Sequence, residues 1–250
     1  PTTTYHYNSG GEPEDIPSLS YEELTDFYRT HYHPSNAVFM TFGNIPAHRH
    51  QERFETLALK RFNVLDTKIE ILDVVRYSAP IRVEESFAAE HQEAPQGHVV
   101  LAWLLGKSSN IEELFKAELL TAVLMDNSGS PLLAALETSD LGASPSPMCG
   151  LEDSNREMSF MAGLEGCAPG TTDAVEALVI ETLEAIVEKG IDQEHILAAL
   201  HQLELSHREI AGDSYPYGLQ LILAGLSSAM HRGDPIELMN IDPVLEKLRV

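Results

Sequence analysis

With eleven histidines and 39 carboxylates, the chain has ample material for metal or acid–base chemistry, so spacing decides what it can do. A zinc peptidase needs two histidines one helical turn apart with a glutamate beside them. Both imidazoles then reach one ion, and the carboxylate activates water. Neither HExxH nor its inverted form HxxEH occurs. His31 and His33 flank the end of a predicted helix, and His48 and His50 lie near the start of the next. Residues two apart on a helix point to different sides, so neither pair converges on one ion. "HQLELSH" holds Glu204-x-x-His207, the spacing of di-iron helix bundles, without the second such motif those sites need. His201, Glu204 and His207 are spaced by threes and drift around their helix, which predicts a solvated or partly buried face. Ser130 in "NSGSP" lacks the flanking glycines of a nucleophile elbow, and neither GxGxxG nor a full phosphate-cradling P-loop is present. On residues alone there is no catalytic or metal-binding set.

The elements that would position such groups are readable. "TYHYNSGGEPEDIP" is a loop rich in Gly and Pro. Ser20 and Glu23 form a capping box at the start of a helix whose stripe is Leu24, Phe27, Tyr28 and His31, and Pro34 stops it. "AVFMTFG" is a continuous apolar run of strand length, expected to be buried on both faces. A second helix starts at Pro46 and is expected to turn Phe54, Leu57, Ala58 and Phe62 inward. The pattern weakens from Asn63 to Pro80. "IRVEESFAAE" and "HVVLAWLLG" then read as strands separated by "HQEAPQG", and "REMSFMAGLEG" as another.

Helices are expected over "NIEELFKAELLTAVLM", with Ile111, Leu114, Phe115, Leu119 and Ala122 on one stripe, and over the shorter "SGSPLLAALETSDLG". A long helix carries Val175, Leu178, Val179, Leu183, Ile186 and Val187 up to Gly190. Burying these six is worth very roughly 1.5–3 kcal/mol each before ordering costs, so it must pack on something large. Asp192 caps the next helix, and "YPYGLQLILAGLSSAMHRG" completes the set. Strands and helices in this order predict an α+β fold, helices covering one face of a mainly antiparallel sheet.

Composition narrows the partners. The formal net charge of -23 would repel nucleic acid and disfavours an anionic membrane. No apolar run approaches the roughly 18 residues needed to span a bilayer. Such a field attracts basic peptides; its plainer role is solubility. Cys149 and Cys167 are too few for a disulfide framework and read as buried free thiols of a reducing compartment. A bacterial cytoplasm is expected, with an organelle matrix as the alternative.

"TYHYNSGGEPEDIPSLSYEELTDFYRTHYHPSNAVFMTFGNI", "SGSPLLAALETSDLGAS", "MSFMAGLEG" and "LHQLELSHREIAGDSYPYGLQL" together resemble the presequence-protease-like subgroup of the M16 (pitrilysin, insulinase) zinc metallopeptidase family. The resemblance implies the two-layer M16/LuxS-like fold, with residues 1–64 as the end of the first, catalytic domain, 65–80 as a linker and 81–250 as the second, non-catalytic domain. It implies that the zinc ligands lie upstream of Pro1, that the final strand of the second domain lies beyond Val250, and that zinc belongs to the parent enzyme and not to this chain. Peptide substrates and the remaining domains of the parent are the implied partners. The alternative is a stand-alone, non-catalytic binding subunit of the same fold. In insulinase-type relatives an edge strand of the second domain pairs with substrate. The matching stretch here is Ser146 to Ser154, with Met148, Cys149, Gly150 and Leu151 as candidate substrate-binding residues; the competing reading is an ordinary surface loop.

Overall fold

A computed structural model describes residues 3–66, 69–88, 96–210 and 215–249. The chain divides into two compact units, Pro1–Arg76 with Ala211–Met239, and Tyr77–Ile210 with Asn240–Val250.

In the first unit, helix α1 (Tyr21–His31) begins as the sequence predicts. Glu23 N donates to Ser20 Oγ at 3.2 Å, and Ser20 N donates back to Glu23 Oε2 at 2.8 Å. Helix α2 (Ala47–Leu57) follows Pro46. The expected strand over "AVFMTFG" is not formed: residues 37–42 are extended without a ladder partner among the described residues. A strand exists only through pairing, and here two aromatic side chains of the run meet helices instead. Phe39 lies 4.7 Å from the Phe54 ring, and Phe42 meets Tyr217 edge-on at the start of α7 (Tyr217–Met230). The α2 stripe is only partly covered: Phe54 packs on Phe39 and Ala58 is half-buried, while Leu57 stays 62% exposed.

The second unit is built on a four-stranded antiparallel sheet. β4 (Glu157–Cys167) is its centre, paired on one side with β1 (Gly97–Lys107) and on the other with β2 (Ser144–Pro145) and β3 (Gly150–Glu152). Every second residue of β4, from Met158 to Leu164, is buried, the signature of one face turned to a core. Helices α3 (Ile111–Met125), α4 (Pro131–Glu137) and α5 (Thr172–Lys189) supply Leu124, Leu132, Leu136, Val175 and Val179 to that core. The α+β class is therefore as expected.

Two expectations need correction. Residues 81–88 form no strand, and 89–95, which hold the rest of that run and most of "HQEAPQG", lie outside the described residues. Val187 is 83% exposed; at 3.6 residues per turn it sits about 120° around α5 from Val175, off the buried stripe. The α3 stripe forms as expected, with Ile111, Leu114 and Leu119 packed beside Phe115, and another face of α3 serves a different core. Phe115 joins Leu200 of α6 (Gln193–Arg208) and Val244 and Leu245 of α8 (Asp242–Leu248) in a second cluster, while Leu124 serves the first.

Candidate functional site

The histidines are occupied locally. His31 Nδ1 bonds the Phe27 carbonyl at 3.0 Å and its ring stacks on Phe27 at 3.9 Å, as the stripe predicts. His33 Nδ1 accepts from Ser35 N at 3.1 Å, capping the 3-10 turn Pro34–Asn36. His50 stacks on Phe54. Glu204 and His207 do not converge: Glu204 takes Arg208 and Arg249, while His207 Nε2 reaches Glu118 at 3.0 Å and stacks on Phe115. Ser130 is fully buried at the start of α4. Gly106-Lys107-Ser108, a fragment of a phosphate-loop pattern, ends β1 with its polar groups engaged. Lys107 N donates to Glu113 Oε2 and Ser108 Oγ to the Asn155 carbonyl. Among the described residues no three His, Cys, Asp or Glu side chains form a group fit to hold a metal ion, so no step of metal chemistry is derived for this chain.

The second sheet edge is different. From Pro145 to Gly150 the chain takes five steps opposite three on β4, from Leu164 to Met161. The surplus loops out as residues 146–149, a bulge that interrupts one edge strand into β2 and β3. Ser146 N still donates to the Gly163 carbonyl at 2.9 Å, but Gly163 N–H is taken by Cys149 Sγ at 3.2 Å instead of a backbone oxygen. Gly150 re-enters the ladder at φ +119°, a conformation open to glycine. Met148 is exposed, and Cys149, Gly150 and Leu151 are half-buried. The four residues singled out from sequence thus lie on the bulge and the edge strand it feeds.

Beside this edge runs a groove of about 620 Å³. One wall is a single face of α3, Glu118, Thr121, Ala122 and Met125 at i, i+3, i+4 and i+7; the other is the edge segment from Pro145 to Asp153. Burial, and then the negative charge of Glu118, push the Asp153 carboxyl above its ordinary range. Burial likewise pushes the Cys149 and Cys167 thiols up, which suppresses the thiolate and makes both poor nucleophiles. Both cysteines are free. Thr121 Oγ1 is buried without a hydrogen-bond partner among the described residues. The arrangement offers binding surface, not bond-breaking groups. Sequence reading missed Glu118 and Asp153 because their proximity depends on α3 docking beside β3. The only signal was the mixed polar stripe on α3.

Residues 18–203 match the family profile of the Peptidase M16 inactive domain. The chain belongs to the M16 peptidase family. As the family's inactive domain it is a non-catalytic portion of a larger peptidase. It is 34% identical over its full length to the mitochondrial presequence protease of Xenopus tropicalis, covering 24% of that protein. It is 35% identical to the mouse (Mus musculus) mitochondrial presequence protease, also covering 24%, and 31% identical to presequence protease 1, chloroplastic/mitochondrial, of Arabidopsis thaliana, covering 23%. The chain therefore spans about a quarter of the length of these curated relatives. A Helicobacter pylori protease shares the fold with a TM-score of 0.61 at 14% identity, over 97% of this chain and 59% of its own. An M16-like peptidase from Alicyclobacillus acidocaldarius shares it at 0.52 and 18% identity, over 99% and 60%. The expected bacterial cytoplasm is overturned: these presequence proteases are named for mitochondria and chloroplasts. Missing targeting signals and few cysteines do not separate a cytoplasm from an organelle matrix, which is also reducing. Among the described residues no helix is long and apolar enough to cross a membrane.

Proposed function

We propose that this M16 chain is the non-catalytic portion of a zinc metalloendopeptidase that degrades short, unstructured peptides. It lends the parent enzyme a wall of its peptide chamber and a strand edge that pairs with substrate. The observation that carries this reading is the match to the inactive domain, joined to the interrupted edge strand beside an open groove. Met148, Cys149, Gly150 and Leu151 are the proposed substrate-contacting residues, using backbone groups for β-augmentation. The zinc-binding residues belong to the parent's first domain, and the parent's other domains are the chain's structural partners. Residues 1–64 are proposed as the end of that first domain, 65–80 as linker and 81–250 as the second. A division between compact units after Arg76 supports a boundary in the 65–80 stretch, while Ala211–Met239 clusters with the first unit. The names of the relatives support an organelle location, and the net charge of -23 supports basic peptides as substrates.

The test is zinc content and peptide cleavage measured on the purified chain. The expected result is neither bound zinc nor cleavage, with chelator-sensitive cleavage once the chain is part of its longer parent. Stoichiometric zinc in the chain alone, or cleavage by it that a chelator blocks, refutes the reading.

A further inference from the structure

Two grooves in the second unit differ in charge. One, about 560 Å³ between the start of α4, the end of α5 and the start of α6, is lined by both signs: Glu181, Asp192, Lys189 and His195. The groove beside β3 has three carboxylates, Glu118, Asp126 and Asp153, and no Lys, Arg or His among its described lining residues. Alongside these carboxylates the lining carries apolar Ala122, Met125, Leu133, Pro145 and Pro147, with polar Thr121 and Ser146 among them.

We propose that the Glu118–Asp153 end of this groove is a side-chain subsite for one lysine or arginine of an extended peptide paired along β3. The inference rests on the edge-strand reading above and adds the side-chain chemistry that reading lacks. A lysine or arginine has an alkyl stem that covers apolar surface and a cationic head that seeks carboxylate, which is the order of surfaces found here. Glu118 and Asp153 stand on opposite walls, so a head group between them meets a carboxylate from each. Partial desolvation and then the negative charge of Glu118 push the Asp153 carboxyl up, and a cation between the two walls relieves the repulsion. Glu118 Oε2 is held by His207, which fixes the carboxylate in place. Asp126 lies about 12 Å further along α3, the span of three to four extended residues, so it cannot share the same cation.

The probe is a fluorescent, unstructured ten-residue peptide with one central arginine, compared by anisotropy with its Arg→Gln counterpart on the 250-residue chain. The arginine peptide is expected to bind about 3- to 10-fold tighter, the range for partly exposed charge pairs. Asp153→Asn and Glu118→Gln should each bring that ratio toward one with folding unchanged by circular dichroism. Glu184→Gln, which makes the same change of net charge on exposed α5, should leave it intact. A ratio that survives both groove variants, or falls equally in Glu184→Gln, overturns the subsite in favour of long-range attraction. Equal binding of the two peptides overturns the subsite and leaves the edge strand standing. Binding of neither removes the edge-strand reading, and the subsite with it.

Discussion

Replacing Gly163 by alanine tests how the sheet edge is held. Gly163 lies at the centre of β4, opposite Val100 of β1, and its own backbone binds the bulge through Ser146 and Cys149. A Cβ at this position would stand 2.0 Å from the Val99 carbonyl oxygen, 2.7 Å from Val100 Cα and 2.9 Å from the Val99 carbonyl carbon. All three are backbone atoms of the paired strand, so no rotamer change relieves the clash. The strands would have to separate by about 1 Å or more, at the expense of ladder hydrogen bonds and core contacts. Overpacking costs 1–3 kcal/mol, and backbone on the clashing side places Gly163→Ala at the upper end, about 3 kcal/mol. Gly170→Ala is the comparison: φ is +86° with nothing within 4 Å, so it carries only the left-handed penalty of about 1 kcal/mol. Trp103, the single tryptophan, sits on β1 with its ring 6.0 Å from Phe160, so its fluorescence reports this unit alone. Urea unfolding followed at Trp103 should show Gly163→Ala losing roughly 2 kcal/mol more than Gly170→Ala at unchanged slope. Equal losses would refute the close approach of the strands.

Two further outcomes concern charge. Glu112 accepts from Lys116 and Lys247, each at 2.7 Å, and these bonds hold its pKa down at about 2. A carboxyl depressed in the fold contributes stability above its unfolded value of 4.5 and loses it as pH falls toward 2, so Glu112→Gln should flatten the acid limb of urea midpoint against pH across that window. Asp153 has the opposite sign: its folded pKa is raised from 3.8, so its ionised form opposes folding above that pH. Asp153→Asn should therefore raise the thermal midpoint at pH 7, with the gain vanishing below about pH 3.8; a drop at pH 7 would contradict that environment.

What the sequence discloses divides by the range of the interaction involved. The capping box at Ser20 and Glu23 and the Asp192 cap are local, and both form as read. β4 is legible because its alternation from Met158 to Leu164 is itself the record of a one-sided core. "AVFMTFG" fails because an apolar run states only that a segment seeks burial; whether it pairs depends on a partner elsewhere. Val187 shows the same limit more finely: apolar type placed it on the stripe, and helix phase removed it. Of the candidate site, the edge residues Met148 to Leu151 are proposed through family resemblance. The acidic wall facing them was not found, because no pattern within α3 announces what will dock beside it.

That wall changes the meaning of the chain's acidity. A surface charged only for solubility distributes its carboxylates where water screens them, and an exposed carboxylate is then neutral for folding. Glu112 and Glu204 go further: each pairs within its own helix, with Lys116 and Arg208, and with Lys247 or Arg249 at α8, so that α8 is tied to α3 and α6. Asp153 fits neither pattern. It stands solvent-accessible at the end of β3, where partial desolvation and then Glu118 push its carboxyl above the usual range. A carboxylate without a cationic partner among the groove's described lining residues, beside an open strand edge, suits a binding surface, since a cationic ligand would relieve its repulsion from Glu118. If Asp153→Asn both stabilises the fold and abolishes arginine preference, the carboxylate serves a ligand and not the fold.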